Sequence, residues 1–324
     1  MSLSIFTYHY VRPVAGSFYP RLHALEASMF RRHLDYLRDH YAVITMDQFL
    51  DAVYERHGLP PHAALLTFDD GYLDHFDSVF PLLQAYGFTG TFFIPWQITD
   101  GRNVLDVNKI HFILAAADTT GAVVARLFNV LETYRDGYEL MSDAEYTRRF
   151  AQRRRFADPD VAFVKGMLQR GLPQPVRAEI VDLLFREFVN ESESELAGQL
   201  YMTSDEILYM QRAGMHIGNH GFAHLRYTTL SREDLYQDIM KSLGAMRKYG
   251  VYKKDWVMCY PYGEYTEEHI NILEGEGCAA AFTTRGGITD VAWQGRFELA
   301  RFDANDLTAE LLRVRRRAHT RSNT

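Results

Sequence analysis

The run Ala63-Ala64-Leu65-Leu66-Thr67-Phe68 is apolar almost throughout and ends in two adjacent carboxylates and a glycine, Asp69-Asp70-Gly71. A run this short and this apolar predicts a fully buried strand, and Gly71 lets the chain turn as the strand ends. The carboxylates then sit at the C-terminal end of a strand, where barrels and open α/β sheets build their sites. Side by side, Asp69 and Asp70 repel each other and raise each other's pKa unless something positive neutralises one. A metal ion would do so, with one Asp as a ligand and the other as a base. The plainer reading of the pair is a helix N-cap after a strand.

Strands and helices alternate around this run. Residues 4–10, 42–45, 65–68 and 91–94 read as strands, and 28–38, 47–55 and 77–86 as helices. Later strands are expected at 257–260, 280–283 and 299–302, with helices at 267–276 and 307–316. Such alternation predicts an α/β fold of parallel βα units. Residues 101–202 differ, with helical patterns at 110–117, 123–134, 143–154, 160–169 and 175–188 and almost no strand signal. We therefore expect a split core of residues 1–100 and 203–312, a helical insertion at 101–202 and a basic tail at 313–324. Thr203-Ser204-Asp205-Glu206 has the form of a capping box and restarts the core. Within the insertion, Arg148-Arg149 and Arg153-Arg154-Arg155 form a basic face. It is either plain solvated surface or a phosphate contact, since arginine binds phosphate bidentately.

Far downstream, His216-Ile217-Gly218-Asn219-His220-Gly221-Phe222-Ala223-His224 places His220 and His224 four residues apart. Gly218 and Gly221 argue for a loop after a short strand rather than a helix interior. Neutral imidazoles with a carboxylate suit Zn²⁺, and three protein ligands leave a position open for water. Taken alone, a histidine pair at this spacing is more often plain surface or core.

Taken in order, Thr67-Phe68-Asp69-Asp70-Gly71-Tyr72, the His220/His224 pair and Tyr260-Pro261-Tyr262-Gly263 resemble the motifs of the polysaccharide deacetylases, the NodB-homology carbohydrate esterases. Phe6-Thr7-Tyr8-His9-Tyr10-Val11 and Gly87-Phe88-Thr89-Gly90-Thr91-Phe92-Phe93-Ile94-Pro95 resemble that family too. The resemblance implies a distorted seven-stranded (β/α) barrel carrying the helical insertion. It implies Asp69 as catalytic base and Asp70, His220 and His224 as ligands of a divalent metal, Zn²⁺ by preference. Pro261 and Tyr262 would line the substrate groove, Tyr262 stacking on a sugar or donating to an oxyanion. Tyr72 is expected as a further substrate contact, and Asn219 and Arg285 as supports behind the site. The implied activity is metal-dependent hydrolysis of N-acetyl groups from an amino sugar in a glycan or glycan precursor. The competing readings are a catalytically weakened carbohydrate-binding relative and a glycosidase using Asp69 with a second carboxylate.

Three departures from the family pattern stand out. Gly221 follows the first histidine where the family has Ser or Thr, whose hydroxyl braces the ligand loop. Cys259 stands two residues before Pro261, where the family has the arginine that orients the base. The late Leu-x-His motif, whose histidine is the general acid, has no clear counterpart. Arg301 lies in the apolar stretch Leu299-Ala300-Arg301-Phe302 and needs an acidic partner there. Asp69 is the expected partner, with Arg285 the alternative guanidinium. His9 ends the first strand, on the face expected to carry Asp69, and is a candidate general acid or substrate contact. His111, at the start of the insertion, is a lid candidate or an exposed helix histidine, and His216 reads as structural.

A net charge of −7 and a pI near 6.0 argue against a general nucleic-acid binder. Two cysteines make no disulfide framework and sit comfortably in a reducing compartment. The N-terminus lacks the charged start and apolar core of a signal peptide, and no apolar run approaches the ~18 residues of a membrane span. The expectation is a cytoplasmic protein with a carbohydrate substrate, for which a nucleotide- or lipid-linked sugar suits better than a finished wall polymer.

Overall fold

A computed structural model describes residues 1–152, 158–292 and 295–322. Its strands are, in chain order, β1 (Ser2–Tyr8), β2 (Ala42–Val43), β3 (Ala63–Asp69), β4 (Thr91–Ile94), β5 (His216–Asn219), β6 (Val257–Cys259), β7 (Ala280–Phe282), β8 (Thr289–Asp290) and β9 (Phe302–Asp303). The main sheet runs β7-β6-β5-β4-β3-β1-β8, with β2 on β3 and β9 on β1. Every pairing except β1 with β8 is parallel.

Residues 299–303 close the ring between β7 and β1. Leu299 bridges Phe282 in parallel, and three residues on Phe302 pairs with Phe6 of β1. With β1, β3, β4, β5, β6 and β7, this segment makes seven staves of a distorted (β/α) barrel. The expected strand at 299–302 is therefore two fragments, a single bridge at Leu299 and β9, with Arg301 between them. Successive strand residues face opposite ways. Leu3 and Ile5 of β1, Leu65 of β3, Phe93 of β4, Val257 and Cys259 of β6, and Ala280 and Phe282 of β7 belong to one buried cluster that fills the barrel. Counting on by twos from Leu65 reaches Thr67 and then Asp69, so the pattern that buries leucine low in the barrel aims a carboxylate inward at its C-terminal end. The other face of β3 carries Phe68, which stacks on Tyr8 at 5.2 Å and on Phe92 at 4.7 Å. Burying one such aromatic stabilises the fold by about 1.5–3 kcal/mol.

The chain divides into two compact units. The barrel unit is 1–13, 24–101 and 198–324, and the second is 14–23 with 102–197. The second unit is helical, with Asp106–Ala116, Thr120–Glu132, Asp143–Phe150, Pro159–Gly166, Gln174–Phe188 and most of Glu193–Leu200. The last of these was not anticipated, nor was the allocation of residues 14–23 to this unit. Arg21 ties the short segment in by donating to the carbonyls of Ala115, Ala117 and Asp118 at the end of a helix, satisfying groups no intrahelical bond reaches. Lys109 is buried between Asp182 at 2.7 Å and Glu193 at 2.8 Å. Arg153, Arg154 and Arg155, on which the phosphate-contact reading rests, lie outside the described residues. Among the described residues no helix is long and apolar enough to cross a membrane.

Candidate metal centre and catalytic site

At the end of β3 the chain turns through Asp70, whose φ is 76°. The turn sends the Asp70 side chain away from Asp69. Tyr72 donates to Asp70 Oδ2 at 2.6 Å, which leaves Oδ1 buried and without a hydrogen bond. Oδ1 lies 3.4 Å from His220 Nε2 and 3.4 Å from His224 Nε2. Bonds of about 2.0–2.1 Å at a tetrahedral angle separate neighbouring ligand atoms by about 3.3 Å. The donor set and its spacing therefore fit a divalent ion such as Zn²⁺, and the orphaned Oδ1 is the atom that needs it. His220 donates from Nδ1 to the Cys259 carbonyl at 2.7 Å, which aims Nε2 toward Asp70. Burial pulls the His224 imidazole down to about 4 in spite of Asp70 beside it, so it is neutral. Burial also opposes charge on His220, but Cys259 and Asp70 outweigh it and hold that imidazole above its ordinary value. Protons thus compete for this nitrogen as the pH falls.

A second triplet, Asp69, His220 and Cys259, also has its ligand atoms within 4.8 Å of one another. It cannot take a cation, because Arg301 already fills it. The Arg301 guanidinium donates to Asp69 Oδ1 at 2.9 Å and Oδ2 at 2.7 Å, to Thr67 Oγ1 at 3.1 Å and to Cys259 Sγ at 3.0 Å. Its Nε donates to the Thr283 carbonyl at 2.8 Å. A buried charge needs such pairing. Burial alone would raise the Asp69 carboxyl, but the Arg301 charge and hydrogen bonds, with His220 and His9 adding to them, hold it below the usual carboxylate range. Asp69 is thus ionised at neutral pH. His9, just past β1, is 44% exposed and puts Nε2 3.8 Å from Asp69 Oδ2.

Gly221 has a structural reason. Its φ is 75°, and a Cβ there would lie 2.5 Å from the Tyr227 hydroxyl and 2.9 Å from Asp238 Oδ2. These two groups occupy the space a Ser or Thr side chain would take, and they brace the loop instead. Asp238 accepts from the Phe222 amide at 2.9 Å, the Ala223 amide at 3.1 Å and the Tyr227 hydroxyl at 3.0 Å. Asn219 joins this loop: its Oδ1 accepts from the Gly221 amide at 3.0 Å while its amide donates to Ser242 at 2.7 Å. Sequence reasoning missed Asp238 and Tyr227. The available signal was a carboxylate on the buried stripe Leu235-Asp238-Ile239-Ser242-Leu243 of helix Arg232–Lys248.

Three expected site residues are placed differently. Tyr72 is fully buried, stacked on Tyr10 and Tyr201 with its hydroxyl on Asp70, so it does not line the groove. Pro261 is also buried. Arg285 does not pair with Asp69: it donates to the Glu298 carbonyl at 3.0 Å, while Arg301 holds both Asp69 oxygens. Tyr262 does lie at the site, edge-on to His224 with centroids 4.8 Å apart. One face of its ring is covered by Arg226, 4.2 Å from the centroid, so that face is closed to a sugar. His216 starts β5, and His111 lies in helix Asp106–Ala116 of the helical unit.

The family model for polysaccharide deacetylase matches residues 57–110 and 182–281, a span that includes Asp69, Asp70, His220, His224 and Tyr262. Over these residues the chain carries a polysaccharide deacetylase domain. Its fold is similar to that of Streptococcus pyogenes deacetylase PplD in complex with acetate, with a TM-score of 0.58 and 14% identity over 94% of this chain and 92% of that one. It is similar also to IcaB from Ammonifex degensii, with a TM-score of 0.56 and 18% identity over 95% of this chain and 94% of that one. A de-N-acetylase from Aggregatibacter actinomycetemcomitans matches with a TM-score of 0.55 and 16% identity over 93% of this chain and 94% of that one. No curated protein matches the chain in sequence.

Proposed function

We propose that this protein is a divalent-metal-dependent hydrolase that removes N-acetyl groups from an amino sugar in a glycan or a glycan precursor. The observation that carries the reading is Asp70 Oδ1, buried, without a hydrogen bond and equidistant at 3.4 Å from two imidazole Nε2 atoms. Asp70, His220 and His224 would hold the ion, which when bound supplies Lewis acidity for the amide carbonyl and for water. Asp69 stays ionised beside this centre and takes the proton of the attacking water. Arg301 fixes the direction of that carboxylate by gripping both oxygens. Breaking the C–N bond leaves an amine that needs a proton. His9 faces Asp69 from the exposed side and hands a proton to the departing nitrogen, while the acetyl carbon keeps the water oxygen and leaves as acetate.

The absent late histidine and the Cys259 replacement would point to a weakened relative. Arg301 answers the second point, since it brings to Asp69 a guanidinium that the local motif lacks. The deciding experiment is acetate release from a panel of N-acetylated oligosaccharides, nucleotide sugars and lipid-linked sugars, with and without a chelator. Chelator-sensitive release from at least one member supports the reading. Saturable sugar binding with no acetate release would favour the carbohydrate-binding relative instead.

A further inference from the structure

The two histidines of the centre are braced by different means. His220 is fixed through its Nδ1 hydrogen bond to the Cys259 carbonyl at 2.7 Å. His224 Nδ1 is buried and makes no hydrogen bond. Metal-binding imidazoles ordinarily use that second nitrogen to set the ring's direction. The His224 ring is instead set by packing, with the Tyr262 ring at 4.8 Å and 61° and the His220 ring at 4.8 Å and 73°. His224 itself has a positive φ of 52°, so its backbone is under constraint too.

Tyr262 stands at φ 60°, ψ 3°, a region that a side-chain-bearing residue keeps only where its surroundings impose it. Arg226 imposes it. Its guanidinium lies over the Tyr262 ring at 4.2 Å, pairs with Glu264 and is 8% exposed. Glu264 is held in turn by the Thr228 hydroxyl at 2.8 Å. Arg226 is only two residues beyond His224, so one loop carries both the ligand and the clamp that presses Tyr262 against it.

We infer that Arg226 is a positioning residue for the metal ligand His224 and acts through Tyr262. The guanidinium, locked by Glu264, holds the Tyr262 ring in its left-handed turn. The ring then holds the imidazole with Nε2 toward Asp70 Oδ1. This rests on the reading of Asp70, His220 and His224 as metal ligands. It assigns the Tyr262 ring a task that needs no substrate.

The test measures zinc affinity of the purified full chain by competition with a chromophoric chelator, with the Co²⁺ absorption spectrum as a reporter of ligand geometry. Arg226→Gln should weaken zinc 10–100-fold, the usual effect of removing an outer support. Arg226→Lys keeps the charge but not the planar face and should fall between. Tyr262→Phe keeps the ring and should bind as the wild type does. Tyr262→Leu should lose as much as Arg226→Gln, and the double variant should lose no more than either. Unchanged zinc affinity in a folded Arg226→Gln protein overturns the inference, as do fully additive losses in the double variant. If Arg226→Gln does not fold, Glu264→Gln interrogates the same clamp with the same expected loss. A wild-type protein that binds no zinc at all overturns the ligand reading itself, an outcome distinct from a wild type that binds and a variant that binds equally well.

Discussion

Arg301 and Asp69 are separated by 232 positions and meet in a buried, bidentate ion pair, with Nη1 to Oδ1 at 2.9 Å and Nη2 to Oδ2 at 2.7 Å. The pair joins the segment that closes the barrel to β3. One side chain thus serves both barrel closure and the ionisation of Asp69.

Arg301→Met should therefore cost both stability and activity. Removing one partner of a buried pair leaves the other charge uncompensated, which costs about 3–5 kcal/mol. Without Arg301, burial raises the Asp69 pKa. In the wild type Asp69 lies below its unfolded value near 3.9, so its contribution is present above about pH 4 and is lost as the pH falls through the folded value. Denaturant melts at pH 7 and pH 3 should show the wild-type advantage over Arg301→Met shrinking in acid. A loss under about 1 kcal/mol at pH 7 would remove the pair from any structural role.

Tyr72→Phe is expected to weaken metal binding on the order of 10–100-fold while leaving the fold intact, because it frees Asp70 Oδ2 to turn. Asp70→Asn should lose the metal more completely. Isothermal titration with Zn²⁺ distinguishes them, and equal affinity for Tyr72→Phe and wild type would make the hydroxyl incidental.

Asp69→Asn should retain the metal and lose on the order of 10²–10⁴-fold in kcat, the usual weight of a general base. His9→Ala should lower kcat and keep the zinc content. A wild-type kcat in His9→Ala would transfer proton donation elsewhere.

His216 supplies a prediction away from the chemistry. It is 6% exposed, both ring nitrogens lack hydrogen bonds, and burial lowers it to about 3. The folded protein thus binds the proton more weakly than the unfolded chain, whose histidine titrates near 6.5. Stability should fall as the pH drops from about 6.5 toward 3, by up to about 1.4 kcal/mol for each pH unit from this group. His216→Asn removes that term, so the stability gap between wild type and variant should narrow in acid. A gap independent of pH over this range would mean that His216 is not held neutral.

The sequence by itself determined the strand that presents Asp69 and Asp70, the loop that presents His220 and His224, and the α/β alternation around them. These are local facts. Apolar runs bury, glycines turn, and the period-two pattern of β3 aims its last residue inward whatever the rest of the chain does. The capping box at Thr203 was legible for the same reason, since Glu206 is only three residues away. The partner of a buried charge was not fixed in this way. Arg301 and Arg285 look alike in sequence, and only the ring closure through Leu299 and Phe302 turns one onto Asp69 and leaves the other on Glu298. Tyr72 reads as a groove aromatic until the fold stacks it between Tyr10 and Tyr201 and spends its hydroxyl on Asp70. Gly221 reads as a lost hydroxyl until Tyr227 and Asp238 fill the space. Each of these contacts joins groups that the backbone pattern leaves free to pair in several ways, and tertiary packing makes the choice because a buried charge or hydroxyl must find a partner within hydrogen-bond reach.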